Sequence, residues 1–471
     1  MKKIFLLLVL AFSSLSQIPM GFTQIATLSK IPLGAVQPPA VQIETLSNGM
    51  KVYLLEDSEL PIFQAFAYIK AGSVYDPMNQ TGLASVLGTV LRTGGTLEKK
   101  PAEIDRLLDD RGASLETGMA GEYGTASVSG LSKDVSVLVP LFFEVLSSPQ
   151  FENSATQLSI ARKIESLKRI NDEPEKIAVR EFPKLMYGPD SAWGRTPTAA
   201  SLLSIRKSDL QKYHGQFYHP DQVTLAIAGD FKKAEMLALL EKATQAWKKS
   251  DGKMPALPEV KKEWDKGIYL INKPGGQSTI VIGHYGDKRD NPDKFALILM
   301  NYRLGGDIFS SKLGEEVRSN RGWAYSIYSR FALETVYGLF YAIAQTKTAS
   351  TSDVIGLVAK IISDFHEGEG FSGSSLGAAK SAILNQLMGD WDPRFGYVKE
   401  RARLSYFHYP ENYLDVFQKK LGAVTVEEVR KVAKQYLYPD KLKILVVGDA
   451  EKLKASLEKY GTVKELPLPS L

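Results

Sequence analysis

The chain has 471 residues and no cysteine. Disulfides, thiolate metal sites and a cysteine nucleophile are thereby excluded. Histidine is nearly as scarce, with five residues: His214, His219, His284, His366 and His408. No two are four residues apart, the spacing that sets two imidazoles on one helical face. His214 and His219 are five apart, and His219 precedes Pro220, where any helix must end. The histidines therefore read as surface or packing residues. An excess of one charge is also lacking. A formal net charge of +5, with no basic run forming a stripe, argues against nucleic acid. Beyond the N-terminus no segment approaches 18 uninterrupted apolar residues, so no stable membrane span is expected.

What is present starts with a leader pattern. Met1-Lys2-Lys3 is a short basic segment, Ile4 to Phe12 is an apolar stretch, and Ser-rich sequence comes next. This is the layout of a secretory signal peptide. Residues 1–24 are assigned to it, with cleavage between Ser16 and Gln24. The mature protein is expected to be exported, soluble, and periplasmic or in the cell envelope.

The remaining pattern is mixed. Lys51 to Leu55, Phe63 to Ile69 and Tyr123 to Leu131 alternate as strands do. Gly82 to Leu91, Ala102 to Asp110, Val135 to Leu146 and Thr156 to Lys168 read as helices, with Pro174 ending the last pattern. The order predicts an α+β fold of mixed layers. The chain also repeats itself. Pro220-Asp221 and Gly229-Asp230 recur as Pro439-Asp440 and Gly448-Asp449, each 219 residues on, with an apolar run between them in both copies. Each copy comes after a helical pattern, and Thr425 with Glu428 forms a capping box before the second. Two copies at so long a period indicate gene duplication, not a solenoid. The expectation is two homologous lobes, 40–250 and 264–465, each an antiparallel-rich sheet packed with helices, in a clam-shell arrangement. The polar, proline-containing segment 251–263 reads as the linker.

Two strings carry chemistry. Gly82 to Thr96 reads GLASVLGTVLRTGGT. In the second half Leu304-Gly305-Gly306 precedes Ser311-Lys312-Leu313 and then Arg318, Gly322, Ala324, Tyr325 and Ser326. With the duplication, these strings resemble the M16 (pitrilysin-type) zinc peptidases, whose first metal helix opens Gly-Leu-Ala-His and carries His-x-x-Glu-His. Here Ser85, Gly88 and Thr89 stand in place of the first His, the Glu and the second His. They supply neither imidazoles nor a carboxylate to activate a metal-bound water. The resemblance places the third ligand at Glu165 or Ser166, depending on where the count starts. On a helix that also carries Arg162, Lys163, Lys168 and Arg169, Glu165 also reads as a solvated i,i+3 partner.

The same resemblance implies that Arg318 and Tyr325 bind substrate backbone and help to polarise the scissile carbonyl. A guanidinium fork and a phenol are suitable donors for those tasks. Many members of that family pair a zinc-bearing subunit with one that lacks the motif, as in the mitochondrial processing peptidase. The resemblance thus implies a non-catalytic, peptide-binding subunit of a heterodimeric metallopeptidase. Zinc is expected on the partner subunit only, and an extended peptide in the cleft. The alternative is a stand-alone peptide-binding or scaffolding protein of the envelope. An unrelated serine site is disfavoured, because Leu83-Ala84-Ser85-Val86 is no nucleophile elbow.

Overall fold

The computed structural model describes residues 39–252, 254–389 and 394–468. Residues 1–24, read from the sequence as a leader, lie outside the described residues. Val41–Leu471 forms one compact unit.

Its strands are β1 (Gln42–Thr45), β2 (Lys51–Glu56), β3 (Ile62–Ile69), β4 (Ser114–Met119), β5 (Gly124–Leu131), β6 (Val223–Gly229), β7 (Gly267–Asn272), β8 (Gln277–Tyr285), β9 (Asp287–Lys288), β10 (Ala324–Phe331), β11 (Leu333–Glu334), β12 (Leu339–Lys347), β13 (Lys443–Gly448) and β14 (Val463–Leu466). Two six-stranded sheets result, ordered β1-β2-β6-β3-β5-β4 and β10-β12-β8-β13-β7-β14, with β9 and β11 as a small separate pair. Each large sheet is rich in antiparallel pairs. Read from opposite edges, the sheets match. β6 lies between a parallel β2 and an antiparallel β3, and β13 lies between a parallel β7 and an antiparallel β8. The two Pro-Asp…Gly-Asp units thus occupy equivalent strands, as a duplication requires. Only the outermost strands break the match: β1 runs antiparallel to β2, whereas β14 runs parallel to β7.

Four helices frame the site or join the halves: α1 (Leu83–Thr93), α2 (Asn153–Ile170), α3 (Pro174–Tyr187) and α4 (Arg394–Tyr406). The α2 pattern does end before Pro174, at Ile170, but the sequence reading did not foresee that α3 begins at that proline. Pro174 is the first residue of a new helix, where its missing N–H costs nothing. The helix runs on through Pro183, with Ile177, Ala178, Phe182 and Met186 at helical spacing on one face.

α3 and α4 are exchanged between the halves. Ile177, Ala178, Phe182 and Met186 of α3 pack on the second sheet, against Tyr269, Val281, Ile343, Leu445 and Val447. Val398 and Ala402 of α4 pack on the first sheet, against Tyr53, Leu55, Tyr68, Ala226 and Ala228. Each sheet is therefore covered on one face by its own helices and on the other by a helix from the opposite half. That is why β8 and β13 are buried along nearly their whole length, β13 at every residue, instead of alternating. Polar contacts reinforce the exchange. Glu411 receives hydrogen bonds from Lys51 Nζ and Tyr53 OH, both at 2.7 Å. Tyr406 OH donates to the Glu122 carbonyl at 3.0 Å, and Lys443 Nζ to the Leu185 carbonyl at 2.9 Å.

Candidate functional site

α1 is built by its N-terminus. Gly82, at φ 106°, takes the left-handed conformation that only glycine adopts freely. The Asp76 carboxylate accepts hydrogen bonds from Gly82 N at 2.7 Å and Ala84 N at 2.8 Å, satisfying donors that the first turn leaves open. Burial lifts the Asp76 pKa to about 6, against the opposing effects of these donors and of Arg195. Leu83, Ala84, Val86, Leu87 and Val90 then fill the first-lobe core.

The three positions at which the sequence resemblance places the metal motif have separate surroundings. Gly88 is buried where α1 crosses β4. A Cβ there would lie 2.9 Å from the Gly118 carbonyl carbon and the Met119 nitrogen, and 3.0 Å from Met119 Cβ. The Thr117 hydroxyl donates to the Gly88 carbonyl at 2.7 Å and fixes this approach. Thr89 is exposed, and its hydroxyl turns back to the Ser85 carbonyl at 3.3 Å. Ser85 is half-buried, and its Oγ accepts a hydrogen bond from Lys163 Nζ of α2 at 2.7 Å.

Of the two candidates for a third ligand, Glu165 is exposed and paired with Lys168 at 3.1 Å, and Ser166 is also exposed. Zinc does not fit this arrangement. One position lacks room for any side chain, two offer hydroxyls, and the side chain that reaches α1 is a cation. No group of three His, Cys, Asp or Glu able to hold a metal ion occurs among the described residues.

Lys163 is the residue that the sequence reading missed as part of this site. It stands one helical turn before Ser166, so it shares a face with that position. That spacing was the available signal.

The second-half pair does come together. Arg318 lies in the wide turn Gly314–Asn320, and Tyr325 is the second residue of β10. Arg318 Nε donates to the Tyr325 carbonyl at 3.1 Å, and the guanidinium stacks over Phe309 at 4.6 Å. Glu316 is held by Arg321 and by Lys312, the latter at 3.0 Å, and these bonds draw its pKa to about 2. Arg318 itself has no carboxylate partner among the described residues. Tyr325 is 56% exposed and Phe309 67%, so the phenol is presented to solvent beside a half-buried Arg318. Among the described residues, no hydrogen bond, ion pair or ring contact links it to Ser85 or Lys163.

Residues 52–192 match the family profile described as Insulinase (Peptidase family M16), and residues 204–395 match Peptidase M16 inactive domain. Over 411 residues the chain is 23% identical to an uncharacterized zinc protease of Mycobacterium leprae, covering 83% of this chain and 88% of that protein. It is 24% identical to a non-peptidase homolog of Helicobacter pylori, covering 84% and 91%. It is 21% identical to the mitochondrial-processing peptidase subunit beta of Mus musculus, covering 92% and 89%. Among solved structures, a peptidase M16 inactive domain from Pseudomonas fluorescens superposes with a TM-score of 0.79 at 25% identity, covering 91% of this chain and all of that one. The chain belongs to the M16 peptidase family, whose members similar to it include both zinc proteases and a non-peptidase homologue.

Proposed function

We propose that this chain is the metal-free, peptide-binding subunit of an exported M16-type zinc metallopeptidase, working beside a zinc-bearing partner chain. The observation that carries the reading is the contrast between the two strings. The metal helix is closed to a catalytic carboxylate at Gly88, while Arg318 and Tyr325 remain adjacent, the guanidinium half-buried and the phenol exposed. A chain with no peptide to hold has no evident use for an unpaired guanidinium beside an exposed phenol. In this reading Arg318 holds substrate backbone through its donor fork, and the Tyr325 hydroxyl donates to the oxyanion developing on the scissile carbonyl. The likeness to a processing-peptidase subunit supports a paired assembly. Export is inferred from the leader sequence.

The test is reconstitution. The chain is mixed with the M16 chain of the same genome that bears an intact His-x-x-Glu-His motif, and peptide hydrolysis is monitored. Activity should rise on mixing. Tyr325→Phe should lower kcat by about a hundredfold, the usual cost of one oxyanion donor. Arg318→Ala should chiefly raise KM. Full activity of both variants in an intact complex would leave the pair a surface feature, and the scaffolding alternative would replace this reading.

A further inference from the structure

The position that the M16 resemblance gives to a metal is approached instead by a side-chain cation. Lys163 Nζ donates to Ser85 Oγ at 2.7 Å from a half-buried position. No ion pair to Lys163 occurs among the described residues, although the same helix pairs Lys168 with Glu165. Burial alone holds the Lys163 pKa below the usual lysine value. An ammonium that has lost solvent without gaining a counter-charge is stabilised by any anion that reaches it. It keeps two further N–H donors after bonding Ser85. The Ser85 hydroxyl accepts from Lys163, so its own proton is available to a third group. Two donors of this kind on adjacent helices suit the two oxygens of a carboxylate.

We propose that Lys163 and Ser85 form a carboxylate-binding site for peptides. It would take either the free C-terminal carboxylate or an Asp or Glu side chain of the bound peptide. This proposal rests on the peptide-binding reading above and names a recognition element for it. It also gives the degenerate lobe a binding task of its own, distinct from that of Arg318 and Tyr325.

The test uses the full mature chain and four pools of random extended peptides. The pools have acid or amide C-termini, and each is made either with Asp and Glu or with Asn and Gln in their place. Captured peptides are quantified by mass spectrometry. The wild type should enrich a carboxylate-bearing pool about tenfold over the amide pool without Asp or Glu, as one charge-assisted contact provides. Which of the two single-source pools is enriched identifies the carboxylate.

Lys163→Met should abolish the enrichment and leave capture of the neutral pool unchanged, which also shows that the variant is folded. Lys163→Arg should keep most of the preference, and Ser85→Ala should reduce it. Enrichment that persists in Lys163→Met would assign the preference to another cation, such as Arg318, and overturn the proposal. Equal capture of all four pools by the wild type would overturn it too, leaving peptide binding intact. Capture of no pool would remove both the proposal and the reading beneath it.

Discussion

Rebuilding the metal motif is the sharpest perturbation of this chain. Ser85→His, Gly88→Glu and Thr89→His restore the missing groups on paper. The structure says they will not restore a site, because the obstacle at Gly88 is backbone. The Gly118 carbonyl carbon and Met119 nitrogen stand 2.9 Å from a Cβ built there. Ordinary contact needs roughly half an ångström more, so α1 and β4 must separate. Overpacking of that kind costs about 1–3 kcal/mol. Separation also weakens the Thr117 hydrogen bond to the Gly88 carbonyl, worth about 1 kcal/mol. Against this, replacing a helical glycine by alanine gains about 1 kcal/mol of propensity. The steric side wins by about 1–3 kcal/mol.

Gly88→Ala isolates that balance. In urea its unfolding midpoint should fall with the slope unchanged. In the triple variant the imidazole introduced by Ser85→His would meet the Lys163 ammonium, and metal analysis should find no stoichiometric zinc. The wild type should hold none either, and chelators should not alter its behaviour. A Gly88→Ala chain as stable as wild type, or a triple variant holding one zinc per chain, would refute the argument that the site is closed.

Two further outcomes derive from the fold. With a protease site placed in 251–263 and cut, the halves should stay associated, because α3 and α4 bind across; Ala402→Glu, which buries an unpaired charge on the first sheet, should release them on size exclusion. Acidification should destabilise the chain below pH 6.5. Burial lowers the pKa of His214 and His284 to about 4, so the stability that their neutral forms contribute is complete above the unfolded value near 6.5 and is lost as pH falls towards 4, by up to about 3 kcal/mol each. Asp76, raised to about 6, acts in the opposite sense across the same window, because its folded form takes up a proton first. His284→Phe should therefore flatten the loss in pH-dependent denaturation, and a variant as acid-sensitive as wild type would exclude His284 as its source.

Much of this architecture was legible in the sequence. Strands with one face on the core alternate, and β3 and β5 could be placed within a residue or two. The duplication was legible because Pro, Asp and Gly mark turns that the fold repeats. The exchange of α3 and α4 was not. An apolar run such as Ile444 to Val447 records that a strand is buried on both faces, but not whose helix covers it. α3 was missed because its two prolines read as breaks, although Ile177, Ala178, Phe182 and Met186 recur at helical spacing. At the site, the residue types at 85, 88 and 89 are plain from the sequence, whereas the closure at Gly88 and the reach of Lys163 depend on how α1 lies against β4 and α2. Neither neighbour is close to α1 in sequence.

These contacts also decide which parts of the family resemblance bear on function. Gly82, Leu83 and Ala84 look like the preserved frame of a metal site, but each has a folding reason to stay. Gly82 takes a left-handed turn, Ala84 N and Gly82 N satisfy the buried Asp76, and Leu83 and Ala84 are 3% and 0% exposed in the core. A chain that never meets a peptide would still need them. Arg318 and Tyr325 differ in this respect. The single bond from Arg318 Nε to the Tyr325 carbonyl is a surface contact worth about 1 kcal/mol or less, and it uses neither the terminal guanidinium nitrogens nor the phenol. The guanidinium also stacks over Phe309, but that contact too leaves its terminal N–H donors and the phenol unused. The part of the string that folding cannot explain is therefore the pair of groups able to grip a peptide backbone, and the case for a binding function rests on them and not on the remnant of the metal helix.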